Sequence, residues 1–300
     1  MKDLISFRDL NREKVEAILH FAKKLKTSPE PHLLENKILG SCFFEPSTRT
    51  RLSFEAAISR AGGKVIGFSE MGSTSSAKGE SLKDSMKIIG SYADIIVIRH
   101  PLEGSARLAG EVTDKPVINA GDGANQHPTQ TLLDLFSMKE CQTKLEELNI
   151  AFVGDLKYGR TVHSLSLGCA LFNMRLYFIS PSQLAMPDSI CSELRKRGVK
   201  FSFHKSIEEV LDRIDILYMT RIQKERFEEG DYSKIQDSYI LKKEMLAQVK
   251  PNLKIFHPLP RVNEIDPAID DTPYAYFFEQ AANGIFVRQA ILSLMLNGEL

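Results

Sequence analysis

Cys42-Phe43-Phe44-Glu45-Pro46-Ser47-Thr48-Arg49-Thr50-Arg51-Leu52-Ser53-Phe54-Glu55 is the stretch whose reading decides the fold. The apolar run from Ile38 to Phe44 has strand character, Pro46 interrupts it, and a helix restarts with Leu52, Glu55, Ala56 and Ser59 at helical spacing. Ser47 or Thr48 is placed to cap that helix. A helix start leaves backbone N–H groups without intrahelical partners and carries partial positive charge, so it favours an anion. The same turn adds the hydroxyls of Ser47, Thr48 and Thr50 and the guanidinium groups of Arg49 and Arg51. Donors at this density suit a phosphate or a carboxylate. The plain alternative is a capped helix with two solvated arginines. Glu-Pro before the run and Thr-Arg after it favour the anion site.

The rest of the chain bounds what such a site serves. A length of 300 residues suggests two domains, each able to bury its own core. Basic and acidic residues balance at 39 each, so no nucleic-acid or anionic-membrane surface is indicated. There is no uncharged apolar run long enough to span a bilayer, and Met1-Lys2-Asp3-Leu4-Ile5-Ser6 lacks an apolar signal core. A cytoplasmic protein is expected. Cys42, Cys141, Cys169 and Cys191 are far apart without C-x-x-C spacing, which argues for buried thiols rather than a zinc site or disulfides.

Strand and helix signals alternate along the chain. A surface helix from Asn11 to Lys26 is followed by strands near 38–44, 64–68, 94–99 and 117–120, with helices near 50–61, 80–92 and 104–111. A helix from Thr129 to Glu140 leads to strands near 149–154, 175–179, 199–203, 214–218 and 253–257, again separated by helical patterns, and Ala281 to Leu296 closes the chain as an apolar-faced helix. Alternation of this kind means parallel strands joined by crossover helices. The expected fold is α/β, two domains each with a parallel sheet flanked by helices and joined by interdomain helices, the closing helix returning to the first domain.

In open α/β sheets ligands bind beyond the carboxyl ends of the strands. Those positions hold the Ser47–Arg51 run, Arg99-His100-Pro101, the 119–130 segment with His127 and Gln130, then Asp155, Tyr158, Arg160 and His163, then Thr220, Arg221, Gln223 and Arg226, and finally His257-Pro258-Leu259-Pro260-Arg261. Each alone reads as a structural histidine or a surface arginine. Together, Arg49, Arg99, Arg160 and Arg221 fall just past strands, and four guanidinium groups phased in this way imply ligands carrying several negative charges. The small-residue stretch from Ser69 to Glu80 reads as a flexible connector, or as a lid that sets Thr74 or Ser75, with Lys78, on a bound anion. Gly154-Asp155-Leu156-Lys157-Tyr158-Gly159-Arg160-Thr161 matches a phosphate-binding P-loop except that Arg replaces lysine, but Leu-Lys-Tyr fills the loop poorly.

Ser47-Thr48-Arg49-Thr50-Arg51, Arg99-His100-Pro101 and His127-Pro128-Thr129-Gln130 resemble the first-domain site of the transcarbamoylase family. Arg221-Ile222-Gln223-Lys224-Glu225-Arg226 and His257-Pro258-Leu259-Pro260-Arg261 resemble the second-domain motifs of its aspartate-specific branch, and the likeness runs on to Gly284–Gln289. The ornithine-specific relatives would carry a cysteine at 257 and a different stretch at 221–226. The resemblance implies that Ser47, Thr48, Arg49 and Thr50 hold the phosphate of carbamoyl phosphate. It implies that Arg99, His127 and Thr50 donate to its carbonyl oxygen, with Gln130 and the carbonyls of Leu259 and Pro260 near its amino group. Arg160, Arg221 and Gln223 would bind L-aspartate, assisted by Lys78. Thr74 stands where the family usually has serine, and Ser75 is the other hydroxyl able to reach phosphate from that loop.

The resemblance further implies a cis Leu259–Pro260 peptide, a homotrimer whose active sites borrow that loop, and no metal or organic cofactor. The carbamoyl-phosphate domain would comprise residues 1–130 completed by 285–300, and the aspartate domain residues 131–284. Transfer of the carbamoyl group to aspartate, a step of pyrimidine biosynthesis, is the expected activity, and a separate regulatory chain is a partner compatible with the motifs. Another amino-acid acceptor such as ornithine, a non-catalytic scaffold of the same fold and a P-loop hydrolase are the competing readings.

Overall fold

The computed structural model describes residues 1–222 and 239–300. The chain forms two compact units, residues Met1–Phe136 with Asn283–Leu300, and residues Ser137–Ala282. Both divisions fall inside helices, which is why no loop in the sequence marks them.

In the first unit, α1 (Arg12–Thr27), β1 (Ile38–Phe43), α2 (Thr48–Arg60), β2 (Lys64–Phe68), α3 (Leu82–Tyr92), β3 (Ile95–His100), α4 (Ser105–Val112), β4 (Val117–Asp122) and α5 (Pro128–Gln142) follow one another. The four strands are parallel in the order β2-β1-β3-β4. β1 and β4 are buried along nearly their whole length, as strands covered by helices on both faces must be. Leu4 extends the sheet: its N–H donates to the Val117 carbonyl at 2.8 Å and its carbonyl accepts from the Asn119 N–H at 2.9 Å.

α2 begins where the sequence places it, and the sheet selects its inner face. Thr50, Phe54, Ala57 and Ile58 are buried against the sheet, whereas Leu52 is 50% exposed. The buried set spans spacings of four, three and one, the stripe a docked helix presents to a sheet. Glu55 instead faces polar partners, accepting from Ser41 Oγ at 3.0 Å and Arg51 Nη1 at 3.2 Å.

The second unit carries β5 (Asn149–Val153), α6 (Arg160–Ala170), β6 (Arg175–Ile179), α7 (Asp188–Lys196), β7 (Phe201–His204), β8 (Ile216–Met219) and β9 (Lys254–Phe256). Its parallel order is β7-β6-β5-β8-β9. One expected helix is missing: residues 206–213, between β7 and β8, form turns. Ile207, Val210, Leu211 and Ile214 still bury themselves in the core from those turns, so apolar spacing alone mimicked a helix. α8 (Phe277–Leu296) ends the chain and is apolar nearly all round, as a helix buried on most faces must be.

In both sheets the strand order reverses once. In the first unit the reversal lies between β1 and β3, in the second between β5 and β8. Such reversal points open a crevice at the carboxyl edge. No described helix is long and apolar enough to cross a membrane. All four cysteines are free thiols, Cys42, Cys169 and Cys191 buried and Cys141 half-buried.

Candidate active site

At the reversal point of the first unit, β1 leads through Pro46 into α2, and β3 runs alongside with Phe43 opposite Arg99. Ser47 is the residue before the helix, yet its hydroxyl makes no capping bond to the backbone. The first-turn N–H groups of α2 therefore receive no bond from that hydroxyl, and the helix dipole lies behind them. Arg49 is exposed and pairs with no carboxylate among the described residues, and partial burial lowers its guanidinium pKa. A cation held beside the protein surface without a counter-ion is suited to an incoming anion.

Arg99 is the last residue but one of β3, inside the strand rather than past it. Its Nε donates to Glu45 Oε1 at 2.7 Å, so the residue between the strand and Pro46 aims this guanidinium. His100 is a structural histidine. Its Nδ1 lies 3.0 Å from the Leu102 N–H and 2.9 Å from Ser105 Oγ, and burial lowers its pKa, which favours the neutral ring.

Beyond β4, Asp122 organises the turn that presents His127. Its buried carboxylate accepts from the N–H of Gly104 at 2.9 Å, from Asn119 Nδ2 at 2.8 Å and from Asn125 Nδ2 at 3.2 Å. His127 and Gln130 are both buried, at the start of α5, and Gln130 Nε2 donates to Asp134 Oδ1 at 2.9 Å one turn on. The unit therefore brings Ser47–Thr50, Arg99, His127 and Gln130 to the carboxyl edge of three neighbouring strands. Thr74, Ser75 and Lys78 follow β2, on the outer strand. That segment is not irregular: Met71–Ser73 and Ser75–Lys78 are short 3₁₀ turns. The Thr74 hydroxyl donates to the Met71 carbonyl at 2.7 Å, while Ser75 and Lys78 are exposed.

In the second unit the resemblance to a P-loop fails on its hydrogen bonds. A phosphate nest needs successive free N–H groups. Here the N–H of Asp155 donates to Thr220 Oγ1 at 3.1 Å, that of Leu156 to the Leu184 carbonyl at 3.1 Å, and those of Lys157 and Tyr158 to Asp155 Oδ1 at 3.1 and 2.9 Å. Gly154 takes a φ of +111°, and a Cβ there would stand 2.3 Å from the Thr220 carbonyl oxygen, so the turn serves to join two strands closely. His163 Nε2 lies 2.8 Å from the Leu156 carbonyl and must donate to it, closing the same loop. Millimolar ATP is accordingly expected to leave the melting temperature unchanged in a thermal-shift assay. A rise of several degrees would restore the nucleotide reading.

What this loop does present is Arg160, the first residue of α6. Arg221, two residues past β8, lines a cleft with Gly154, Thr220, Tyr239, Asn263 and Glu264. Gln223 and Arg226 lie outside the described residues. Beyond β9, the His257 ring is fixed between two partners. The Leu259 N–H donates to Nδ1 at 2.7 Å, so Nδ1 carries no proton, and Nε2–H must donate to Glu264 Oε1 at 2.7 Å. Burial pushes the Glu264 pKa up, but the bond from His257 and the backbone donors outweigh it and hold the pKa below the usual range. The Leu259–Pro260 peptide is cis, and Leu259 has a φ of +57°. Arg261, by contrast, is bidentate to Asp270 and packs 4.8 Å over the Phe277 ring.

The parts played by Asp122, Asp134 and Glu264 escaped sequence reasoning. Only Asp134 left a signal, its i+4 spacing from Gln130. No group of three or more potential metal ligands converges among the described residues.

Both halves of the chain match domains of a known family. Residues 2–140 match the carbamoyl-P binding domain of aspartate/ornithine carbamoyltransferase, and residues 146–295 match the Asp/Orn binding domain. The aspartate carbamoyltransferase catalytic subunit of Chromobacterium violaceum is 57% identical over 99% of this chain and 98% of its own length. That of Vibrio campbellii is 57% identical over 99% and 97%. The catalytic subunit of the M. jannaschii aspartate transcarbamoylase superimposes with a TM-score of 0.92 at 50% identity, covering 99% of both chains. The Trypanosoma cruzi enzyme in complex with N-(phosphonacetyl)-L-aspartic acid gives a TM-score of 0.89 at 34% identity, over 97% of this chain and 94% of that one. With both halves matched in order and identity above one half along nearly the full length, the chain belongs to the aspartate/ornithine carbamoyltransferase family.

Proposed function

We propose that this chain transfers the carbamoyl group of carbamoyl phosphate to the α-amino nitrogen of L-aspartate, releasing N-carbamoyl-L-aspartate and phosphate. The observation that carries the reading is the α2 start, where Ser47, Thr48, Arg49 and Thr50 occupy the cap and first turn of a helix at the strand-order reversal of the first unit. Relatives at 57% identity carry the name aspartate carbamoyltransferase, and the Trypanosoma cruzi enzyme has been crystallised with carbamoyl phosphate and aspartate. His257, where ornithine-specific relatives would carry cysteine, favours aspartate over ornithine.

In this reading residues 1–136 with 283–300 hold carbamoyl phosphate, and residues 137–282 hold aspartate. Ser47, Thr48, Arg49 and Thr50 take the phosphate, with Ser75 or Thr74 and Lys78 supplied by a neighbouring subunit of a homotrimer. Arg99, His127 and Thr50 donate to the carbonyl oxygen. Gln130 and the carbonyls of Leu259 and Pro260 accept from the amino group, and Arg160, Arg221 and Gln223 bind the two carboxylates of aspartate. The neutral amine attacks the carbamoyl carbon, the C–N bond forms and negative charge builds on the carbonyl oxygen, where preorganised donors stabilise it. The C–O bond to phosphate then breaks, and the departing phosphate takes the proton shed by the amine. His127 serves as a hydrogen-bond donor, and this proton balance calls on no cofactor. Cytoplasmic pyrimidine synthesis is the setting, with a regulatory chain as a further partner.

The test supplies both substrates and measures N-carbamoylaspartate, with ornithine as the competing acceptor. Product from aspartate and none from ornithine is expected, and the reverse preference would overturn the assignment. Aspartate is further expected to raise the melting temperature only once a phosphonate mimic of carbamoyl phosphate is bound. Equal stabilisation with and without the mimic would refute that order.

A further inference from the structure

Arg288 is the only lysine or arginine buried among the described residues, at 3% exposure. Its Nη1 donates to Ser53 Oγ at 2.9 Å, and its guanidinium lies 5.0 Å over the Phe54 ring, so it grips α2 one turn beyond Arg49. Gly284, one turn back on α8, makes the room: a Cβ there would stand 2.2 Å from Nη1. Burial lowers the Arg288 pKa to about 10, against which the Asp134 charge works, so the group stays cationic at neutral pH. Asp134 is itself fully buried and accepts the Gln130 amide at 2.9 Å.

A buried carboxylate needs a compensating charge to remain ionised, and an ionised carboxylate only accepts hydrogen bonds. Gln130 must therefore turn its NH₂ toward Asp134. The amide oxygen, on the other side of the same planar carbon, is then the atom left for a ligand. An acceptor at that point matches a ligand that carries N–H.

We infer that Arg288 and Asp134 are positioning residues which fix the amide orientation of Gln130 and so select a carbamoyl group over an acetyl group of the same shape. The inference rests on the proposed carbamoyl-transfer reading and deepens it. Neither residue touches substrate; both act through Gln130.

The experiment compares the KM of carbamoyl phosphate with the Ki of acetyl phosphate, which replaces the NH₂ by a methyl group, in the full-length protein. Asp134→Asn is nearly isosteric, but its side chain both donates and accepts, so Gln130 can take either orientation. It is expected to raise the KM of carbamoyl phosphate about 5- to 10-fold, the equivalent of one hydrogen bond, and to shift the Ki of acetyl phosphate less than about 2-fold. Ser53→Ala, which removes only the guanidinium's anchor on α2, is expected to shift the ratio the same way by about 2-fold. Arg288→Lys should keep the ratio nearer to wild type than Arg288→Met.

A ratio unchanged in every variant that folds, or both constants rising together, would overturn the inference, because a purely structural role weakens both ligands alike. The proposed reading fails separately, by absence of carbamoyl transfer in the wild-type protein.

Discussion

Arg49→Ala is expected to lower kcat by about 10²–10³, the cost of removing one preorganised donor from developing charge, while circular dichroism and the melting temperature stay close to wild type. The structural argument is that Arg49 makes no ion pair among the described residues and belongs to the exposed side of α2. Its removal strands no buried partner, and an exposed helical position tolerates alanine well. The packing of α2 rests on Phe54, Ala57 and Ile58, which the substitution leaves alone. Arg49→Lys is expected to recover only part of the loss, because an ammonium cannot reproduce bidentate contact with phosphate. Near-normal turnover of Arg49→Ala in a steady-state assay would mean that the anion site lies elsewhere.

Asp215→Ala is expected to have the largest effect on stability. This buried carboxylate, just before β8, accepts from the Asn149 N–H at 2.9 Å, Asn149 Nδ2 at 3.2 Å, Lys250 Nζ at 2.9 Å and Asn252 Nδ2 at 3.0 Å. It thereby ties the starts of β5 and β8 to the segment leading into β9. Burial pushes its pKa up, but the donors outweigh it and the net pKa is lowered. Alanine leaves those donors without an acceptor, at a cost of about 2–4 kcal/mol once the partial exposure of Lys250 is discounted. For a unit of this size the melting temperature should fall by roughly 4–12 °C.

The sign with pH follows from the lowered pKa. A depressed folded-state value means the unfolded chain binds the proton more readily, so the stabilisation is complete above the ordinary aspartate pKa and disappears as pH falls through the folded one. The difference in melting temperature between wild type and Asp215→Ala should therefore be constant from neutral pH down to about 5 and shrink below about 4. A difference that grew on acidification would show that the carboxylate is not held ionised.

Local signals were enough for the elements and for the residues that close each strand. The alternating strand and helix signals located all nine described strands within a few residues; the apolar run is unbroken where a strand is buried on both faces, as in β5, and broken in the more exposed β2 and β7. Three readings fell short. The 206–213 connection carries helical spacing but folds as turns, since its four apolar side chains need only reach the core. The inner face of α2 was left open, because Leu52 and Ala56 compete on equal terms with Phe54 and Ile58 until a sheet is in place to choose. The 154–161 motif looked like a phosphate loop, and the bonds from Leu156 to Leu184, from Asp155 to Thr220 and from Lys157 and Tyr158 to Asp155 show its donors to be engaged.

By itself the sequence determined the α/β class, the parallel alternation and the identity of the donors at the strand ends, because these depend on residue type and on neighbours a few positions away. The tertiary structure alone decided which donors keep their hydrogen bonds for a ligand and which are used up in the scaffold. Arg261 turns to Asp270, His100 to Ser105, and His257 to Glu264, while Asp134 receives Gln130 and answers the charge of Arg288 from another helix, 154 positions along the chain from it. A hydrogen bond or a buried charge is satisfied by whatever folding brings alongside, and residues far apart in sequence become partners only once strands and helices have packed.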